Sequence, residues 1–194
     1  MSAGEAGPPG KRRRMAQLPQ NPTIPLMADL RGRRCLVVGD TEAATARAAL
    51  LADAGAEVVR RSELGGADLE GVWLVFAATG SASIDAAVTA QAHDRHILAN
   101  AHDQPAACTF HMPAFVKRGA LSVAVGTGGA VPALAAKVRD LLAEALGPRL
   151  EALVDEAAQR RVEAKQSGQS PSELDWDSIL APVLDAIRVG FRSV

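Results

Sequence analysis

Residues 72–79 read Val-Trp-Leu-Val-Phe-Ala-Ala-Thr, an uncharged run held between Gly71 and Gly80. A run of this length, rich in valine and aromatic residues, predicts a strand buried on both faces. Such a strand has no solvated side, so helices must cover both faces of its sheet. The flanking sequence supplies them. Cys35 to Val38 is a second apolar run, which turns at Gly39 into an alanine-rich helix from about Glu42 to Ala54, with Gly55 as its C-cap. Strand two is Glu57 to Arg60, and the polar, glycine-rich segment 62–71 leads back with room for one helical turn. A helix over Ser83 to His93, with Ser81 or Ser83 as N-cap, and a strand in His-Ile-Leu-Ala-Asn-Ala (96–101) complete the pattern. Strand alternating with helix implies a parallel sheet. Ligands of such sheets sit outside the carboxyl ends of the strands. Gly39, Thr79 and the segment Asn100 to Asp103 all fall at such ends, so the fold is expected to bring them to one cleft.

The first turn reads Gly39-Asp40-Thr41-Glu42-Ala43-Ala44 where a dinucleotide fingerprint has G-x-G-x-x-G/A. The first glycine and the final small residue are present, but Thr41 replaces the middle glycine. Its side chain occupies a place where the backbone should approach a pyrophosphate, and Asp40 adds negative charge. That repulsion costs about 1 to 4 kcal/mol at intermediate dielectric, or about one to three decades in affinity. A hydroxyl hydrogen bond from Thr41 offsets part of it. The end of strand two, where an acid would hold a ribose, reads Val-Val-Arg60-Arg61-Ser, with no acid until Glu63. Arg60 or Arg61 would instead favour a 2′-phosphate.

Beyond the sheet the pattern changes. A short helix is expected around Pro113 to Lys117, then a strand, Leu121 to Val125, and a glycine-rich turn, Gly126-Thr127-Gly128-Gly129. Pro132 opens a helix reaching Leu146, and Gly147-Pro148 stops it. Another helix runs from Arg149 to Gln166. Ser170 and Glu173 have capping-box spacing ahead of a last helix, Trp176 to Gly190, whose Ile179, Leu180, Val183, Leu184 and Ile187 form one apolar stripe.

The chain has 194 residues, room for one domain and a smaller appendage, and 48% are hydrophobic, enough for a core. A net charge of -1 gives no global sign of nucleic acid or an anionic membrane. No apolar run of about 18 residues is present, so no membrane span is expected. Cys35 and Cys108 lack metal-ligand spacing, and a reducing cytoplasm is the simplest location. Residues 1–22, rich in Gly and Pro and carrying Lys-Arg-Arg-Arg, read as a disordered basic tail; Met15 or Met27 is a possible alternative start.

Several ordered motifs resemble one family. "IPLMADLRGRRCLVVG", "FAAT" before a helix, and "ILANAHDQPAACTFHMPAFVKRGALSVAVGTGGAVPALA" are similar to the precorrin-2 dehydrogenase / sirohydrochlorin ferrochelatase family, which includes the N-terminal half of siroheme synthases. The family patterns are N-x-x-D-x-P, F-x-x-P-A, R-G-x-L and S-T-G-G-x-S-P-x-L-A, and the likeness covers Pro25 to Gly147. It implies an α/β fold, a Rossmann-like parallel sheet with a dimerisation region and a helical C-terminal region. The corresponding boundaries are 1–22 for the tail, 23–112 for the NAD-binding domain, 113–147 for dimerisation and 148–194 for the helical region.

The resemblance implies NAD-dependent oxidation of precorrin-2 to sirohydrochlorin by a cytoplasmic homodimer, with ferrous iron insertion in some members. NADP is the alternative cofactor. A homologue that binds or chelates tetrapyrroles but has lost the dehydrogenase step through its altered turn is the alternative function. The family's acid/base aspartate falls on Asp103, which would also contact the metal. A serine phosphorylated in some relatives falls on Thr127. The implied cofactor positions are Gly39, Thr41, Glu42, Ala43 and Ala44, then Glu63 and Leu64, then Ala78 and Thr79. The implied substrate positions are Asn100, His102, Thr127, Gly128 and Gly129.

Read from the residues alone, each has a plainer use. Asp103 suits proton transfer or metal contact, and equally an Asx turn ahead of Pro105. His102 offers a nitrogen to iron or to a proton, or is satisfied by a neighbour; His111 is equally ambiguous, while His93 and His96 look like surface residues. The 126–129 turn cradles an anion or simply joins strand to helix. Lys117, Arg118, Lys137 and Arg139 meet substrate carboxylates or water.

Overall fold

The computed structural model describes residues 23–192. The tail expected over 1–22 lies outside the described residues. Four strands, β1 (Arg34–Val38), β2 (Glu57–Arg61), β3 (Leu74–Ala77) and β4 (Leu98–Ala101), form a wholly parallel sheet in the order β2-β1-β3-β4. Helices α1 (Glu42–Asp53) and α2 (Ala82–His93) are the crossovers that flank β2 and β4.

The two-residue period of a strand divides the core. Leu36, Val38, Val75 and Ala77 point to one face and pack with Val88 and Ala92 of α2. Cys35, Val37, Leu74 and Phe76 point to the other, against Ala44 and Leu51 of α1. Every residue of β3 is buried, as the uncharged run requires. The segment 62–71 makes turns and bends but no helix.

The expected helix at Pro113–Lys117 is instead a strand. β5 (Ala114–Arg118) and β6 (Leu121–Val125) form an antiparallel hairpin joined through Gly119 at φ +54°. Alternation explains it: Val116 is buried between exposed Phe115 and Lys117. Three helices follow, α3 (Pro132–Leu146), α4 (Arg149–Gln166) and α5 (Trp176–Arg192). Val116, Leu146, Leu150 and Val183 make a second core that joins the hairpin to all three. Arg118 fastens this unit. Its Nε donates to Gly147 O (2.9 Å) and Nη2 to Ala143 O (2.8 Å), placing a cation on the C-terminus of α3. It therefore serves the fold.

Two smaller expectations change. Ser170 and Glu173 do not cap the last helix: Ser170 caps a 3-10 turn (Pro171–Glu173), and Asp175 accepts from Ser178 N–H at the start of α5. The apolar stripe of α5 holds at Leu180, Val183 and Ile187, but Leu184 is exposed.

Candidate functional site

The sheet changes direction at β1: the chain passes from β1 outward to β2, then back across to β3. A crevice forms at such a point, between the carboxyl ends of the two strands that diverge. Here it lies between Gly39–Thr41 and Ala78–Gly80. Gly39 is buried at φ +122°, and a Cβ on it would overlap the carbonyl oxygen of Ala78. Only glycine fits that close approach. Its N–H donates to Arg61 O at 2.7 Å, which pins the end of β2 to the same turn.

Thr41 is the N-cap of α1. Its Oγ1 accepts from Ala44 N–H (3.1 Å) and donates to Ala78 O (2.7 Å). The side chain thus folds onto the end of β3. Glu42 is exposed, Ala43 half-buried and Ala44 buried. Asp40 is also exposed. Among the described residues, no acceptor takes the backbone N–H of Glu42 or Ala43, so two donors at the positive end of α1 stay available to an anion. Those two N–H groups suit a pyrophosphate, with fewer donors and more negative charge than a glycine-only turn offers, because Thr41 takes the Ala44 N–H and Asp40 and Glu42 stand beside it.

Thr79 follows the end of β3. Its N–H and Oγ1 both donate to Oδ1 of Asp85, at 2.9 and 2.7 Å. Asp85 is only 3% exposed and stands on the buried side of α2. It fixes the turn 79–81 against the helix, a role the sequence reading missed. The signal was present: Asp85, Val88, Thr89 and Ala92 have the spacing of one buried helix face.

One strand further on, His102 N–H donates to Ala77 O (2.9 Å), continuing the sheet to the loop that carries Asp103. Asp103 is at φ +54°, a region that aspartate tolerates better than most residues. Its side chain is 89% exposed, and His102 Nε2 lies 3.7 Å from its Oδ2. Cys108 closes the loop: its Sγ accepts from Ala101 N–H (3.3 Å), with Gln104 O in reach of the thiol proton at 3.2 Å. Burial pushes the Cys108 thiol above its ordinary value against the opposing effect of the Ala101 bond; burial alone raises Cys35. Asn100 Nδ2 donates to Phe110 O (2.9 Å), so that amide holds the chain returning from the loop.

Thr127 caps its own turn, Oγ1 accepting from Val131 N–H at 3.2 Å. Gly128 and Gly129 have φ of +60° and +80°, and a Cβ on Gly129 would meet Pro105 Cβ at 3.7 Å. The 126–129 turn therefore reaches the loop of Asp103 from the second unit. Gly39–Ala44, Ala78–Thr79 and His102–Asp103 follow the carboxyl ends of β1, β3 and β4, on one edge of the sheet, and the Thr127–Gly129 turn approaches that edge at Pro105. Leu64 packs into the first core, and Glu63 is exposed on the loop after β2. His93 ends α2 and His96 lies in the next turn, both exposed. Arg139 pairs with Asp140 (2.6 Å), whereas Lys117 and Lys137 are exposed.

This sheet order, glycine turn and capped helix define a dinucleotide-binding domain of the Rossmann kind. Comparison with known proteins agrees. A family model for NAD(P)-binding domains matches residues 26–63 and 59–114. "Siroheme synthase 1" of Pectobacterium atrosepticum is 37% identical over 159 residues, 71% of this chain and 33% of that protein. The siroheme synthase of Pseudomonas fluorescens is 40% identical over 139 residues, 60% of this chain and 30% of that protein. That of Escherichia coli O157:H7 is 34% identical over 164 residues, 74% of this chain and 36% of that protein. This chain thus spans about a third of the length of these relatives. Among solved structures, SirC, a precorrin-2 dehydrogenase, superposes with a TM-score of 0.61 at 21% identity, covering 89% of this chain and 93% of that one. At that identity the superposition speaks for the fold. The chain belongs to the precorrin-2 dehydrogenase family, the group that includes the dehydrogenase region of siroheme synthases.

Proposed function

We propose that this chain oxidises precorrin-2 to sirohydrochlorin with a nicotinamide dinucleotide, as a step of siroheme biosynthesis. The observation that carries the reading is the placement of an exposed carboxylate, Asp103, beside the dinucleotide crevice on the same sheet edge. The oxidation removes a hydride and a proton from the macrocycle. The bound nicotinamide supplies the hydride acceptor. The N–H groups of Glu42 and Ala43 would hold the pyrophosphate, Gly39 shapes their turn by its close approach to Ala78, and Thr79 is fixed by Asp85 at the crevice wall. Asp103 takes the proton at its carboxylate, with His102 within 3.7 Å to relay it to water. Among the described residues no acceptor takes the N–H groups of Thr127, Gly128 and Gly129, and these with the exposed Lys117 and Lys137 suit the carboxylates of the macrocycle.

Ferrous iron enters this reading as a substrate. Insertion displaces two pyrrolic protons, which Asp103, exposed at the sheet edge, would pass to water. Among the described residues no cluster of three His, Cys, Asp or Glu side chains forms a metal cage, so the ring nitrogens would hold the iron. The reading also includes a homodimer, supported by the exposed Val131, Leu134 and Leu141 along α3, and a cytoplasmic setting, in keeping with two unpaired thiols. Among the described residues no helix is long and apolar enough to cross a membrane.

Asp40 and Thr41 favour a second reading, a tetrapyrrole-binding homologue without the dehydrogenase step. An anaerobic assay of sirohydrochlorin formation from precorrin-2 separates the two. Turnover is expected with the unaltered chain, and Asp103→Asn should slow it by about 10²- to 10⁴-fold. Tight sirohydrochlorin binding without turnover on any nicotinamide dinucleotide would establish the second reading instead.

A further inference from the structure

The end of β2 meets the fingerprint turn through the bond from Gly39 N–H to Arg61 O. In this fold an acid at that strand end accepts a hydrogen bond from the ribose 2′-hydroxyl. This chain has two arginines there, and the first acid beyond them is Glu63. The arginines differ in what holds them. Arg61 is in register with Val38, on the α2 side of the sheet; its Nε donates to Asp68 Oδ1 (2.9 Å) and its Nη1 to Arg60 O (2.8 Å). The Gly65 N–H and then the Arg61 guanidinium hold the Asp68 carboxyl below its usual range, so this pair is a settled structural contact.

Arg60 is in register with Val37, on the α1 side. Its Nη2 donates to Thr45 Oγ1 at 3.3 Å, which brings the guanidinium beside the first turn of α1, next to the pyrophosphate donors. It is exposed, and among the described residues no carboxylate pairs with it. A guanidinium has only donors, so it has nothing to offer a ribose hydroxyl as acceptor. Its planar fork matches a phosphate with two parallel hydrogen bonds.

We propose that Arg60 makes this site select the 2′-phosphorylated nicotinamide dinucleotide, NADP+, over NAD+, an inference that rests on the nicotinamide reading above. Arg60 recognises the phosphate that distinguishes the two. It also offsets the negative charge that Asp40 and Glu42 place beside the same turn.

The test is calorimetric titration of the full chain with NADP+ and NAD+, and with 2′,5′-ADP and 5′-AMP as fragments that isolate the phosphate. One bidentate charge-assisted contact corresponds to binding about tenfold to a hundredfold tighter for NADP+ than for NAD+. The same order should hold for 2′,5′-ADP over 5′-AMP, and added salt should narrow the margin. Arg60→Gln should bring the two dinucleotide affinities together, while Arg60→Lys keeps the charge and part of the margin. Equal affinities, tighter NAD+ binding, or a preference that survives in Arg60→Gln overturns the inference and leaves the nicotinamide reading standing. Binding of neither dinucleotide at millimolar concentration overturns both.

Discussion

Thr41 is an intruder by pattern and a fastener by geometry. The fingerprint asks for glycine there, and the residue list alone shows a side chain in the way. The structure folds that side chain onto Ala78, where one hydroxyl both caps α1 and ties the first turn to the third strand. A bond across 37 residues of sequence cannot be seen in local pattern. Thr41→Val removes both hydrogen bonds and strands the carbonyl of buried Ala78. It should cost about 1 to 3 kcal/mol in urea unfolding. Thr41→Gly also loses both bonds but opens the Ala78 carbonyl to water and keeps a serviceable cap, so it should cost less than valine. A valine variant as stable as the parent would show that the tie contributes nothing. Asp85 and Cys108 were hidden for related reasons. One is a carboxylate on the buried face of a helix, and the other a thiol whose partners are backbone atoms of a loop it closes.

Most elements were legible because their periods are strong. The inner strands of the parallel sheet follow from apolar runs ending at glycine or polar residues, and α3 and α4 from their proline and glycine boundaries. Pro113 misled at β5: proline suits the first turn of a helix, yet here it precedes an alternating strand that ends at a left-handed glycine. Segment packing was not legible at all. Gly190 reads as the end of α5, but a Cβ there would overlap the carbonyl oxygen of Ala145, so the glycine lets α5 lie directly on α3. Gly190→Ala should force the helices apart and destabilise the second unit by about 1 to 3 kcal/mol. Thermal unfolding checks this, and an unchanged midpoint would mean that α5 shifts freely.

At the scale of the whole molecule, apolar side chains of the second unit remain uncovered. Leu134 and Leu141 are exposed on α3 and Val131 at its N-cap. A second copy of the chain is the proposed cover. Light scattering should then give twice the chain mass, and Leu134→Lys with Leu141→Lys should return it to the monomer value. A monomeric parent chain at tens of micromolar would refute the pairing. The site was legible as a set of strand ends, with Arg60 and Arg61 as candidates for a 2′-phosphate; which of the two a carboxylate holds was not, because their different partners follow from sheet register.

The two cores are also separate in sequence. Every strand of the parallel sheet ends by Ala101, and the second core draws on residues from Val116 onward. As the ribosome releases the chain from its N-terminus, all the strands of the first core emerge while the last helices are still being synthesised. The sheet and its crevice can close first, and the hairpin with its three helices then docks the Thr127–Gly129 turn against a rim already built. Order of synthesis and order of assembly can then coincide.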